Sequence, residues 1–547
     1  MPSTRNVPSA RRPIAARALA LVLATAGAAT AGAATAATAP LGAQSRATAA
    51  PAAADVRARV RAYRQTHEHE ILRELVELLA IPNLASDSVN IRRNADALVA
   101  LLTRRGVSAR RLESPGSPPA VYGELRTPGA TRTVVFYAHY DGQPVDRSAW
   151  RSDPWTPVLR TGPLGPTARD LPMPAVGAPI DPEWRIFARS ASDDKSPIVA
   201  MLAALDALRA SRMLPSVNLK FFFEGEEEAG SEHITQMLTA HRDLLAADAW
   251  IFCDGPVDPS GRLQVVFGAR GVMGLELIVY GATRALHSGH YGNWAPNPAA
   301  LLANLLAGMR DPDGRILIAN FYDDVRPPGE AERALLARLP SNDAAERAAL
   351  GLAHTEAGDA PRMERILLPA LNVRGIQAGA TGASAANAVP VEARASIDFR
   401  LVPNQTPERV RSLVEAHLRA QGYYLTSAPP DSAARARYAR IALVRWEQGY
   451  PGVRTAVDLP VSRAVMRVVE ETSGRPPLAL PSLGGSLPLF GFRDVLGVPL
   501  ITMPIVNADN SQHGPNENLR LQNLWDGMEV FAGLMARLGA EWGAAVP

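Results

Sequence analysis

Four carboxylates, Glu224, Glu226, Glu227 and Glu228, follow directly on Phe221-Phe222-Phe223 and precede Ala229-Gly230-Ser231. Charged carboxylates packed this closely repel one another, and a bound cation removes the repulsion. Taken alone, the segment equally fits a strand that ends in a solvated acidic turn. Two other apolar runs end in groups that metals favour. Thr133–Ala138 leads into His139-Tyr140-Asp141, and Ala249–Cys253 leads into Asp254. Ligands of open α/β sheets bind at the carboxyl ends of strands, so three such endings point to one crevice. Ser192-Asp193-Asp194-Lys195 stands just ahead of a helical segment at Pro197 and can join the same crevice. The only cysteine is Cys253, so a metal must be held by His, Asp and Glu. On its buried strand Cys253 reads as a core thiol.

The elements that position these residues are legible as apolar patterns. Helical spacing runs from about Val56 to Ile81, where Pro82 ends it, and again over Ile91–Arg105. Thr133–Ala138, Val217–Phe223 and Ala249–Cys253 are short apolar runs of buried-strand type. Pro197–Arg212 and Glu232–Leu245 read as helices between them. Strands alternating with helices predict an α/β domain with a mostly parallel sheet. The pattern changes after about Gly268. Strands over Val272–Tyr280, Leu371–Ile376, Val391–Leu401 and Ile441–Trp446, with helices over Pro298–Met309 and Pro407–Gln421, approach a split β-α-β order. The charged stretch Asp311–Arg365 reads as an insertion. A helix near Leu521–Leu538 closes the chain. The expected organisation is a catalytic domain over 56–266 and 458–547, interrupted by an inserted α+β domain over 267–457.

The chain has 547 residues, 47% of them hydrophobic, enough for a large core and two domains. Its net charge is +3, and part of that excess lies at Arg5, Arg11, Arg12 and Arg17, which leaves no charge-based case for nucleic acid. Those arginines precede an apolar stretch from Ala18 to about Ala29, and Leu41-Gly42-Ala43 follows. This is the layout of a secretory signal peptide over 1–43, followed by a disordered remnant over 44–55. The apolar run is short for a bilayer span, so an exported protein with no stable membrane span is expected.

His139-x-Asp141, Asp193-Asp194-Lys195, Glu227-Glu228-x-Gly230-Ser231, Asp254 and His513-Gly514-Pro515-Asn516-Glu517 match, in order, the motifs of a known family. From about Val56 onward the chain resembles the co-catalytic zinc metallopeptidases of family twenty, which include carnosinase, other dipeptidases, glutamate carboxypeptidase and aminoacylase. The resemblance implies a zinc-peptidase fold whose inserted domain serves as lid and dimerisation surface. It implies two Zn²⁺, with Mn²⁺ or Co²⁺ as alternatives, about 3.5–4 Å apart. Asp193 would bridge them, His139 and Asp254 would complete one metal, and Glu228 and His513 the other. Asp141 would orient His139, and Glu227 would be the general base for a water between the metals. A cis peptide is implied at Asp193–Asp194.

Looser matches lie mainly in the inserted domain. His287 resembles the histidine that reaches a partner subunit's site and stabilises an oxyanion, which implies a homodimer. Asn387 and Arg400 resemble substrate-binding positions, and Gly485 and Ser486 a loop that receives the substrate carboxylate. The other histidines, His67, His69, His233, His241, His290, His354 and His417, have no supporting pattern. Two departures stand out. Serines occupy positions 190 and 196, where glycines usually flank the bridging aspartate, and Thr161–Pro182 is long and rich in Pro and Gly. Aspartate at 254 goes, within the family, with dipeptidases and aminopeptidases. The expected activity is cleavage of a dipeptide or short peptide. The alternatives are an amidohydrolase acting on N-acyl or N-carbamoyl amino acids, and a non-catalytic peptide-binding protein.

Overall fold

The computed structural model describes residues 51–358 and 360–543. The expected signal peptide and residues 44–50 lie outside them. Helix Ala53–Leu79 takes in the last three residues of the expected remnant, so residues 53–55 belong to the folded chain.

Among the described residues the largest sheet has eight strands. Its order is Ser108–Leu112, Ala120–Leu125, Asn218–Glu224, Thr133–His139, Ala249–Phe252, Leu500–Thr502, Gln264–Val266 and Leu478–Leu480. The stretch from Asn218–Glu224 to Leu500–Thr502 is parallel. The first two strands pair antiparallel, and the sheet is therefore mixed. That hairpin escapes the sequence pattern because Ser108–Leu112 is largely exposed and polar.

Strand periodicity sends alternate residues to opposite faces. Val134, Phe136, Ala138, Phe221, Phe223, Ile251 and Cys253 face helices Ala53–Leu79, Lys195–Ala210, Pro460–Ser473 and Leu521–Trp542. Val135, Tyr137, Phe222, Trp250 and Phe252 face Ile234–Ala240 and Leu489–Leu496. Phe492 is the aromatic hub of that second layer. Its ring lies edge-on to Tyr137 at 5.4 Å, Trp250 at 5.3 Å and Phe252 at 5.0 Å. The expected helix Glu232–Leu245 is two, Ile234–Ala240 and Arg242–Leu245, broken at His241.

A second, seven-stranded sheet is built on the long strand Gly268–Tyr280. Glu392–Leu401 and Ile441–Trp446 flank it antiparallel, and Ala370–Gln377 forms the edge. Helices Pro298–Met309 and Pro407–Ala420 cover one face around Leu277, Ile397, Leu305 and Val414. The start of the long strand reaches back toward the first body. Gly268 and Ala269 pair with Val453–Arg454, and Ala269 also pairs with Leu483. The segment Thr161–Pro182 is tied down by pairing of Val158–Arg160 with Asp170–Leu171, in a four-stranded sheet that also holds Asn518–Arg520.

Candidate metal centre

Parallel pairing brings the polar strand ends together. His139 pairs with Glu224, and Tyr137 pairs with both Phe222 and Phe252, so Asp254 emerges beside His139. Glu227 and Glu228 follow on the turn after Glu224. Asp193 and Asp194 precede helix Lys195–Ala210, and the peptide between them is cis, as the resemblance implied. His513 enters from a turn with φ +61°.

Asp193 occupies the middle. Its Oδ1 lies 2.9 Å from His139 Nε2 and its Oδ2 lies 3.2 Å from His513 Nε2. His513 Nε2 is also 3.3 Å from Glu228 Oε2. Ligand atoms gather in two sets, His139 with Asp194 and Asp254, and Asp193 with Glu228 and His513, and within each set they lie within 4.8 Å of one another. Asp141 stands behind. Its Oδ1 is 3.4 Å from His139 Nδ1, and it accepts the backbone N–H groups of Glu227 at 3.1 Å and Glu228 at 2.9 Å. One carboxylate thus aims a histidine and fixes the turn that carries both glutamates. Glu227 Oε2 stands 4.0 Å from His139 Nε2.

The electrostatics are those of a cation site. Burial and the nearby Asp193 charge push Glu228 up to about 7 and Asp254 up to about 6. Burial, with Asp254, Glu228 and Asp141 around it, holds Glu227 well above the usual carboxylate range. Burial opposes a charged His139 ring, but Asp141 and Asp193 outweigh it and raise the imidazole. The hydrogen bond to Asp193 likewise raises His513. Burial alone would raise Asp193, yet the two imidazoles hold it low. Protons on the two imidazoles add positive charge and protons on the glutamates remove negative charge, and a divalent cation does both at once. Asp194 Oδ1 and Glu228 Oε1 are buried and lack a hydrogen-bond partner among the described residues, a costly state that a cation relieves. The donor set of imidazoles and carboxylates suits Zn²⁺ and similar divalent ions.

Several residues around the ligands take supporting places that the sequence does not assign. Asp194 belongs to the His139–Asp254 group and accepts the His139 N–H at 3.2 Å. Gln143 donates to Glu228 Oε2 at 2.7 Å, and no sequence pattern marks it. Lys195 is wholly buried and donates to the carbonyls of Leu78 and Ile81, which anchors the aspartate turn to the end of the first helix. Ser190 has φ +62°, a conformation that costs glycine little and explains the usual glycine there. Asn83 donates to its hydroxyl at 2.8 Å and helps to hold it. Within the acidic cluster, Glu224 accepts the Tyr137 hydroxyl at 2.7 Å and Glu226 pairs with His233 at 2.8 Å.

The remaining candidates form two other groups. Arg400 Nη1 donates to Ser486 Oγ at 3.0 Å, and its Nε to Asp398 at 3.1 Å. Gly485 shares the Leu483–Ser486 strand. Burial raises the Tyr450 hydroxyl, Glu227 adds to the rise and Arg400 opposes it, and the ring stacks on Phe490 at 5.3 Å. His287 lies in the short pairing of Leu286–His287 with Ala388–Val389, and the Ser288 N–H donates to the Asn387 carbonyl at 2.9 Å. His287 is exposed, and its ring accepts only the Gly289 N–H among the described residues.

Residues 135–537 match the model of peptidase family M20/M25/M40. The chain belongs to this family. The Cys-Gly metallodipeptidase dug1 of Schizosaccharomyces pombe is 25% identical over 84% of this chain and 94% of its own. The Beta-Ala-His dipeptidase of Homo sapiens is 25% identical over 76% of each chain. Among solved structures, an M20 family metallo-carboxypeptidase, Sso-CP2 from Sulfolobus solfataricus, superposes with a TM-score of 0.67 at 29% identity, covering 86% of this chain and 99% of that one. Human carnosine dipeptidase 1 shares the fold with a TM-score of 0.64 at 22% identity, over 90% of this chain and 100% of that one. Family membership makes this chain a metal-dependent hydrolase and accounts for the order of its motifs.

Proposed function

We propose that this protein is an exported, homodimeric, dinuclear zinc peptidase that cleaves dipeptides or short peptides. One observation carries the two-metal reading: each oxygen of Asp193 faces a different histidine, His139 and His513. Asp193 would then be shared by both ions, with His139 and Asp254 holding one and Glu228 and His513 the other. Asp194 supports the first of these with its unpartnered Oδ1. When bound, the two cations polarise the scissile carbonyl and make water a better nucleophile. Glu227 takes a proton from the attacking water and returns it to the amine nitrogen as the C–N bond breaks. Asp141 keeps His139 and the Glu227–Glu228 turn in place. Arg400 and Ser486 receive the substrate carboxylate, and Gly485 supports that strand. His287, exposed and without a contact to these residues in its own chain, serves the partner subunit's site together with Asn387.

The named dipeptidase relatives and Asp254 favour dipeptides. A panel of dipeptides, longer peptides and N-acyl amino acids offered to the zinc-loaded enzyme tests the substrate class. Turnover concentrated on dipeptides supports the reading. Turnover confined to N-acyl or N-carbamoyl amino acids replaces it with an amidohydrolase.

A further inference from the structure

Glu517 ends the His513-Gly514-Pro515-Asn516-Glu517 motif and is fully buried. Among the described residues five donors converge on its carboxylate. The backbone N–H groups of Ser190, Ser192 and Asp193 donate at 2.8, 2.9 and 2.9 Å, the Ser192 hydroxyl at 2.8 Å and Arg189 Nη1 at 2.8 Å. A side chain this polar is buried only where its lone pairs are used and its charge is matched. Arg189, itself buried, supplies the match. The same two residues tie the backbones as well: Ala188 N–H donates to the Glu517 carbonyl at 3.2 Å, and Arg189 Nη2 to the Gly514 carbonyl at 3.3 Å. One end of this clamp is the turn carrying Asp193 and Asp194. The other is the turn carrying His513.

We propose that Glu517 is the positioning residue that holds these two segments in register, and so fixes Asp193 between His139 and His513. It touches neither substrate nor metal. The proposal rests on the two-metal reading above. Glutamine at this position keeps the shape but offers one acceptor oxygen, and its NH₂ confronts donors that need an acceptor. Outer supports of metal ligands typically govern metal affinity by about 10–100-fold.

The test is metal titration by calorimetry on the full chain, wild type against Glu517→Gln, with the visible spectrum of the Co²⁺-loaded proteins. Weakening of Zn²⁺ binding by about 10-fold or more, with an altered Co²⁺ spectrum and recovery of turnover at excess metal, supports the role. Wild-type affinity and spectrum in a variant that is merely less heat-stable overturns it. If Glu517→Gln does not fold, Ser192→Ala carries the test: it removes one of the five bonds, and several-fold weaker metal binding is expected. Unchanged binding in Ser192→Ala overturns the proposal in that case. Failure of the wild type itself to bind metal contradicts the two-metal reading instead.

Discussion

At the residue scale, a few buried groups carry more charge than the fold can hold without help. Asp254 and Glu228, pushed up to about 6 and about 7, lie above their unfolded values of about 4. Groups raised in this way stabilise the metal-free fold at low pH, and the contribution is lost as pH rises through 6 and 7. Raised His139 and His513 act in the same direction. The gain in melting temperature on adding Zn²⁺ should therefore grow between about pH 5 and about pH 8, where protons no longer compete for the ligands. Thermal scans with chelator and with Zn²⁺ across that range check this, and a flat gain would speak against it. Arg400 makes a different prediction. Arg400→Met should raise KM by about 10-fold or more with a smaller loss in kcat, because the proposed carboxylate contact would be made before and during reaction. Steady-state kinetics on a dipeptide decide it. His139, Glu228 and Asp254 stand out in sequence because apolar runs end beside them, whereas Asp193, ahead of a helix, and His513, in a turn, are marked as ligands only by the family resemblance. Asp194 and Gln143 were not separable, since their roles depend on which way a turn presents them.

At the element scale, the sheet places the site and the aromatic layer beneath it holds the sheet. Phe492 is buried among Tyr137, Trp250 and Phe252. Phe492→Ala should cost about 3–5 kcal/mol in urea unfolding, since it leaves a cavity bordered by three rigid rings. A loss under about 1 kcal/mol would mean that the layer can collapse around the gap. The buried central strands and the long helices read well from sequence: Thr133–His139, Pro298–Met309 and Ile441–Trp446 fall where the pattern put them. Ser108–Leu112 did not, because an exposed polar edge lacks the apolar signal. The helix break at His241 follows no Pro or Gly and was equally hidden.

At the scale of the whole molecule, the described residues hold three buried clusters, one on each face of the eight-stranded sheet and one against the seven-stranded sheet, and Ala269 at the start of Gly268–Tyr280 is buried in the second of them. No helix among the described residues is long and apolar enough to cross a membrane. The exposure of His287 leads to a prediction that one subunit alone cannot satisfy. If His287 serves the partner's site, His287→Ala and Glu227→Ala should each be inactive, yet recover part of the activity when mixed and allowed to exchange subunits. No recovery in demonstrated heterodimers would place His287 outside the reaction. The central claim, that a metal-loaded crevice uses Glu227 to move the proton, is tested most directly by Glu227→Ala measured for both metal content and dipeptide turnover. The predicted result is wild-type metal content with turnover reduced by about 100-fold or more. Substantial turnover in the metal-loaded variant would contradict it.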